Sequence, residues 1–299
     1  MELRVLRYFL AVAREETITS AANRLHVTQP TLSRQIKDLE DELGQQLLIR
    51  GSHRVELTAE GMLLRKRAEE IVAMADRTEE EFRAMKGELT GDVYIGGGET
   101  DAMSLIAAVC RELQLEHPGI RYHIHSGNAQ DVTERLDKGL LDFGLLIQPT
   151  DIARYDRLSI PARDRWGVIM RRDCPLAAKV AISPADLAAL PLIFSRQVLD
   201  EREEGNGLAE WFGPYWGRLN IVATFNLCYN AAVMARQGVG YVLSLDKLVD
   251  TSQESPLCFR PLSPPLESGL DLVWKKYQVF SAAAALFLER LRKNFRDEK

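Results

Sequence analysis

Cysteine is scarce and scattered. The 299-residue chain has four, Cys110, Cys174, Cys228 and Cys258, none of them in a C-x-x-C pair. That spacing excludes a zinc knuckle and a thioredoxin-like motif, and leaves buried thiols as the default reading. Cys228 stands beside polar Asn226, Tyr229 and Asn230, which keeps a redox role open, since thiol reactivity needs a polar, partly exposed setting. Long apolar runs are missing too. Ala282 to Leu288 is the longest candidate and falls far short of the roughly 18 residues of a membrane span. Arg4 and Arg7 before Tyr8 to Ala13 mimic a secretory leader only faintly, because Arg14, Glu15 and Glu16 end the run without a small-residue cleavage site. A cytoplasmic protein is expected. Proline is low at 12 residues and hydrophobic residues reach 46%, so neither a disordered nor a collagen-like chain fits. Positive charge is not in excess either: the net charge is -5, so any contact with DNA must come from a local patch rather than from bulk charge.

What is present suits about two domains, at roughly 100 to 200 residues each. Near the N-terminus, Leu3, Leu6, Phe9, Leu10 and Ala13 recur at helical spacing. Ala21, Ala22 and Leu25 follow, then Leu32, Ile36 and Leu39. Only His26, Val27 and Thr28 separate the second helix from the third. Thr28 is a good N-cap, with Pro30 in a first turn where its missing N–H costs nothing. The run Leu47 to Leu57 suits two short strands around a Gly51-Ser52 turn, a wing.

Thr58 is placed to cap a long helix from about Ala59 to Lys86, about 42 Å at 1.5 Å per residue. Along it Leu64, Ala68, Ile71, Ala75, Thr78, Phe82 and Met85 alternate spacings of 4 and 3, a heptad seam with one polar member. So narrow a stripe favours an intermolecular partner helix over packing within its own domain. Gly87 to Gly91 breaks the helix as a hinge. Beyond it strands and helices alternate, which predicts a parallel α/β sheet. Strands are expected at Val93–Gly96, Arg121–Ser126, Asp142–Ile147, Trp166–Arg171, Leu192–Ser195, Asn220–Ala223, Gly240–Leu243 and Gly269–Lys275. Helices are expected near Thr100–Glu116, Gln130–Gly139, Leu227–Gln237 and Ser281–Phe295.

The most specific signal is Ser20-Ala-Ala-Asn-Arg-Leu-His-Val-Thr-Gln-Pro-Thr-Leu-Ser-Arg-Gln-Ile-Lys-Asp-Leu-Glu40, extended by Leu43-Gly44, Leu48, Arg50, Arg54 and Leu57-Thr-Ala-Glu-Gly61. It resembles the winged helix-turn-helix of LysR-type transcriptional regulators. Leu48 stands where that family usually has Phe, and Glu60 where it usually has Ala; neither change should harm DNA binding. The residues agree independently. Thr28, Gln29, Thr31, Ser33 and Arg34 give one helical turn mixed donors and acceptors for base edges in a major groove. Arg24 to Lys37 holds Arg24, Arg34 and Lys37 and no acid, although residues 1–58 balance eight Lys and Arg against eight Asp and Glu. By position in the family, Gln29, Pro30, Thr31, Ser33 and Arg34 match the groove-facing segment. Thr28, Lys37, Arg50, His53 and Arg54 are expected phosphate or wing contacts.

The remainder is similar to the family's effector domain, of type 2 periplasmic-binding-protein architecture. Gly91-Asp-Val-Tyr-Ile-Gly96, Glu116-His-Pro-Gly-Ile120, Leu140-Leu-Asp-Phe-Gly-Leu-Leu146, Cys174-Pro-Leu-Ala177 and Gly238-Val-Gly-Tyr241 carry the likeness through their order and spacing. The resemblance implies an α/β protein overall, with a DNA-binding domain at 1–58, a dimerisation helix and hinge at 59–90 and an effector domain at 91–299. Lobe 1 would take 91–161 and 267–299, and lobe 2 would take 162–266, with crossings near Leu158–Ala162 and Leu262–Ser268. It implies double-stranded DNA, a small-molecule effector, a homodimer through residues 59–86 and a homotetramer, and leaves RNA polymerase open as a further partner. Effector contacts carried by family position are Thr100, Asp101, Ser126, Asn128, Ile147, Gln148, Ser195, Arg196, Phe225, Asn226 and Tyr229.

Helix N-termini after Gly98 and Ser126 should face the cleft and favour an anion. Glu99 and Asp101 oppose that and prefer a ligand that also carries an amine; Thr100 and Asp101 also fit as simple helix caps. Gly96-Gly-Gly-Glu-Thr-Asp101 lacks the third glycine of a dinucleotide loop. His123 and His125 alternate on one strand face, with nothing nearby to complete a metal site. No cofactor, metal or catalytic grouping is expected. The competing reading is a solute-binding or catalytic α/β protein whose N-terminal helices serve only for assembly, and the acid-free basic stretch discriminates against it. A third reading keeps DNA binding and loses the effector.

Overall fold

The computed structural model describes residues 1–51, 54–84, 89–200 and 207–296, which divide into two units, 1–86 and 87–299. The turn residue Ser52, the expected wing contact His53, the seam residue Met85 and the first two residues of the Gly87–Gly91 break lie outside the described residues, as do the side chains of Arg50 and Phe82.

In the first unit α1 (Leu3–Glu15), α2 (Ile18–Arg24) and α3 (Gln29–Leu43) surround one core. Val5, Phe9 and Val12 of α1 meet Ala21 and Ala22 of α2 and Leu32, Ile36 and Leu39 of α3, each set one helical face. Thr17 and Thr28 cap α2 and α3 by accepting from the amides of Ser20 and Thr31, and Gly44 ends α3 in the left-handed region at φ 63°. The wing is the antiparallel pair β1 (Leu48–Arg50) and β2 (Val55–Leu57), in register Leu48 with Leu57 and Arg50 with Val55. Leu48 is fully buried in the core, so its replacement of Phe keeps an apolar anchor there. Glu40 on α3 fixes the start of the wing, with Oε1 accepting from the amides of Leu47 and Leu48 at 2.8 and 3.1 Å.

Thr58 caps α4 (Ala59–Ala84), its Oγ1 accepting from Gly61 N–H at 2.9 Å. The heptad seam divides. Ala68 is fully buried and Leu64 packs on the first unit's core, with α4 lying against α1. Ile71 stays exposed, together with Met62 and Leu63. The expectation of a seam reserved for another chain is therefore corrected over its first turns, where intramolecular packing takes it.

The second unit is a mixed sheet in the order β4-β3-β5-β11-β6-β9-β7-β8, with β10 added to β6. Its elements are β3 (Gly91–Gly97), α5 (Met103–Glu116), β4 (Ile120–Ser126), α6 (Ala129–Asp137), β5 (Phe143–Ile147) and β6 (Tyr155–Arg171), then α7 (Pro184–Leu187), β7 (Pro191–Ser195), α8 (Arg196–Asp200), α9 (Gly207–Phe212), β8 (Asn220–Phe225), α10 (Cys228–Arg236), β9 (Tyr241–Leu245), β10 (Leu257–Pro261), β11 (Glu267–Lys275) and α11 (Ala282–Arg296). β3 is parallel to β4 and β5, and β7 is parallel to β8 and β9. β11 runs antiparallel to both β5 and β6, and β6 antiparallel to β9 and β10, so the wholly parallel sheet is corrected to a mixed one. The early part of β6 pairs with β11 and its later part with β9 and β10, which divides the sheet into two halves that share this strand.

The strand expected at Trp166–Arg171 begins eleven residues earlier, at Tyr155. Its first part, Tyr-Asp-Arg-Leu-Ser-Ile-Pro-Ala-Arg-Asp-Arg165, buries few residues and lacks the strict alternation that marks a strand in sequence. Each half has its own core. Val93, Ile95, Phe143, Leu272 and Phe287 centre one, and Val168, Leu192, Phe194, Phe212 and Leu243 centre the other. Gly96 and Gly144 are paired on β3 and β5. A Cβ at Gly96 would come within 2.5 Å of Leu141, and one at Gly144 within 2.7 Å of Val132, so the glycines admit α6 close to the sheet.

Candidate functional site: an exposed helix face and a cleft in the second unit

On α3 the apolar stripe faces inward and the polar stripe outward. Leu32, Ile36 and Leu39 are buried, while Thr28, Gln29, Pro30, Thr31, Arg34 and Lys37 are exposed and Ser33 is half-buried. The Thr28 and Thr31 hydroxyls lie 2.7 Å apart, which fixes the first turn. Arg34 is 83% exposed and meets Asp38 only at the 4.0 Å limit of an ion pair, so its guanidinium remains available. Arg54, in the turn just before β2 at the tip end of the wing, sits 3.4 Å from Glu16 and is exposed. Thr28, Gln29, Thr31 and Arg34 lie in the first turns of α3 and present donors and acceptors of the types that suit base edges and phosphates.

In the second unit a cavity of about 100 Å3 opens between the two halves of the sheet. Of the expected effector residues, Asn128, Ile147, Gln148, Ser195, Phe225 and Asn226 line it. Thr100, Asp101 and Ser126 line an adjoining space of about 380 Å3 that shares Gly98, Glu99 and Leu248 with the first. Arg196 and Tyr229 line neither; Arg196 is exposed at the start of α8 and Tyr229 is 68% exposed. Trp166, Cys228 and Leu243 also line the cavity, and no sequence motif had marked them as lining residues. Trp166 is the residue at which β6 leaves β11 for β9, a position that no local spacing reveals.

Polar groups around the cleft are mostly engaged with one another. Glu99, after β3, accepts from the backbone amide of Cys228 at the start of α10. Asp101 meets Lys247 at 2.7 Å. The amide of Ala129, at the start of α6, donates to Gln197 Oε1 at 3.2 Å, and Asn128 caps the same helix through Asp131 N–H at 2.8 Å. Thr100 Oγ1 accepts from Ala102 N–H at 3.0 Å in the turn before α5, which starts at Met103 and not at Thr100. Side chains therefore already take one amide before α5 and two at the start of α6, so these helix N-termini are partly occupied. Sequence spacing missed the third such terminus, that of α10.

Asp164 is buried behind Thr100. Burial holds its carboxyl above the ordinary aspartate range, with Asp101 adding to the rise, against Thr100 and Lys247. Cys228 is itself buried, and its thiol pKa is pushed up to about 11, first by burial and also by Glu99, against a bond from Ser244. The thiol therefore stays protonated at neutral pH. The polar sequence neighbours of Cys228 do not give it the exposed setting that redox chemistry needs.

Away from the cleft, His123 Nε2 lies 2.7 Å from Asp92 Oδ1 and its ring stacks on Tyr94 at 4.6 Å. Burial would raise the Asp92 carboxyl, but Arg121 and His123 outweigh it and hold it low. Among the described residues no three His, Cys, Asp or Glu side chains group to hold a metal ion, and no helix is long and apolar enough to cross a membrane.

A winged helix-turn-helix joined to an α/β domain with a cleft at its centre defines a DNA-binding regulator of ligand-responsive type. Residues 3–62 match the bacterial regulatory helix-turn-helix of the lysR family, and residues 86–296 match the LysR substrate binding domain. The chain belongs to the LysR family of transcriptional regulators. It is 33% identical over 200 residues to the regulator BudR of Raoultella terrigena, covering 66% of this chain and 69% of that one. It is 29% identical over 299 residues to the Hca operon transcriptional activator HcaR of Escherichia coli strain K12, covering 97% and 98%. The fold is similar to that of CbnR in its crystal structure with target DNA, at a TM-score of 0.72 and 22% identity, covering 98% of this chain and 99% of that one.

Proposed function

We propose that α3 reads an operator through Gln29, Pro30, Thr31, Ser33 and Arg34, with Thr28, Lys37, Arg50, His53 and Arg54 on phosphates or at the wing. The observation that carries this reading is the division of α3 into a buried apolar stripe and an exposed polar one that starts at its first turn. The likeness of the fold to CbnR, which has been crystallised in complex with its target DNA, supports it. Residues 1–58 act as the DNA-binding domain, 59–90 as dimerisation helix and hinge, and 91–299 as the effector domain. Dimers form through α4, where Met62, Leu63 and Ile71 remain exposed, and associate into a tetramer. The protein works in the cytoplasm as a regulator without catalytic activity of its own, with RNA polymerase as a further partner on DNA.

The effector occupies the cleft, against Asn128, Ile147, Gln148, Ser195, Phe225 and Asn226, with Thr100, Asp101 and Ser126 at its border. It acts by binding one arrangement of the two halves better than another, since only differential affinity shifts a conformational balance. A footprint of the purified protein on DNA flanking its own gene, at two salt concentrations, tests the DNA half of the proposal. Extended sequence-specific protection is expected; uniform protection of any DNA, lost with added salt, would overturn it.

A further inference from the structure

The charge of the cleft is one-sided. Among the described residues that line the 100 Å3 cavity, Glu99 carries the only ionisable carboxylate, and no Lys, Arg or His is there to face an anion. Lys247, a cation lining the adjoining space, is paired with Asp101. Three backbone amides at the cleft already have side-chain acceptors: Cys228 N–H has Glu99, Ala129 N–H has Gln197, and Ala102 N–H has Thr100. An anionic ligand would meet the like charge of Glu99.

The opposite charge meets a suitable set of groups. Glu99 uses Oε2 on the Cys228 amide, and its Oε1 makes no hydrogen bond among the described residues. Trp166 and Phe225 supply aromatic rings to the wall, and such rings attract a desolvated cation through their negative faces. Ile147 and Leu243 add apolar surface for a short carbon chain. The 100 Å3 cavity shares Gly98, Glu99 and Leu248 with the adjoining 380 Å3 space, so Glu99 stands at the border of both.

We propose that the effector is a small protonated amine, bound by the Glu99 carboxylate with its carbon chain between Trp166 and Phe225. This rests on the reading of the cleft as the effector site. The class excludes simple carboxylic acids and includes short alkylamines.

The test titrates the full-length protein by calorimetry at neutral pH with n-butylammonium, butyrate and 1-butanol, probes of equal length that differ in charge. Butylammonium is expected to bind about tenfold or more tightly than the other two, as a charge-assisted hydrogen bond implies. Glu99→Gln keeps a carbonyl acceptor for the Cys228 amide and is expected to weaken butylammonium by about tenfold. Absence of butylammonium binding, butyrate binding as tight, or an affinity unchanged in Glu99→Gln overturns the proposal. Asn226→Trp, at an exposed rim position, separates that failure from failure of the site. If a probe binds and the tryptophan blocks it, the cleft stands as the ligand site whichever charge is preferred. If a probe binds and the tryptophan changes nothing, the cleft reading falls and the proposal falls with it. Thermal melts of both variants matching the parent protein establish that neither result comes from unfolding.

Discussion

The side-chain amide of Gln148 donates to Asp271 Oδ2 at 2.7 Å, tying the end of β5 at the cleft to the middle of β11. Asp271 Oδ1 accepts from Ser159 on β6 at 2.7 Å, so one buried carboxylate joins three strands beside the cavity. Gln148 Oε1 accepts in turn from Thr150 N–H at 2.9 Å, which leaves the amide no freedom to swing toward a ligand.

Asp271→Ala therefore strips partners from two polar groups at once. Stability is expected to fall by about 0.5–1.5 kcal/mol, the usual net worth of a hydrogen bond, because Gln148 is half-buried and Ser159 exposed, so water can reach both. Urea unfolding of the purified variant checks this, and a change below the error of the extrapolation would show that water replaces the carboxylate.

Arg34 and Lys37 are expected to differ in kind. Arg34→Ala should weaken operator binding by about 1–3 kcal/mol and relax base preference, as loss of a base-edge contact does. Lys37→Ala should weaken operator and unrelated DNA alike and lower the salt slope by about one. Anisotropy titrations across a salt series distinguish the two, and identical profiles would refute the assignment of separate roles.

Two changes on α4 are expected to part company as well. Ala68→Asp places a charge in a fully buried position and should unfold the first unit, whereas Ile71→Asp lies on an exposed face and should leave it folded. Sedimentation of Ile71→Asp should show loss of the dimer. A dimer of undiminished strength would remove Ile71 from the proposed interface.

Asp164 gives a dependence on pH. Burial holds its carboxyl above the ordinary value of 3.8, with Asp101 adding to that effect. The folded protein keeps this proton over a range in which the unfolded chain has released it. Stability at this residue is thus lost as pH rises above the ordinary aspartate value, and is unaffected below it, where both states are protonated. Asp164→Asn is expected to be more stable than the parent at neutral pH, with the gap closing as the solution is acidified. Melts of both proteins from acid to neutral pH measure the gap; a gap of constant size would mean that Asp164 does not titrate as described.

The first unit was largely legible in sequence because its signals are local. Thr28 and Thr58 cap where their spacing says, and Leu32, Ile36 and Leu39 fall on one buried face. The cleft was legible in part. Asn128, Ile147, Gln148, Ser195, Phe225 and Asn226 line it as family position implies, while Arg196 and Tyr229 do not. Trp166 escaped notice because its place depends on where β6 changes partners, and the capping of α10 by Glu99 because 129 residues separate the two groups. The two-sided use of α4 was hidden for another reason: a seam of one period serves an internal neighbour as well as an external one.

β6 runs for 17 residues, along β11 in its first part and between β9 and β10 in its second, with a bulge at Pro161 and Ala162 where its register against β11 shifts. At about 3.3 Å per residue it is about 56 Å long. A strand shared in this way links the two halves mechanically. Pro161 and Ala162 face no partner residue on β11, so a turn of one half against the other is expected to concentrate at this bulge. Its stiffness belongs to the ladder of bonds on either side, so substitutions along β6 and β11 should tune how far the halves turn for a given ligand without touching the cavity.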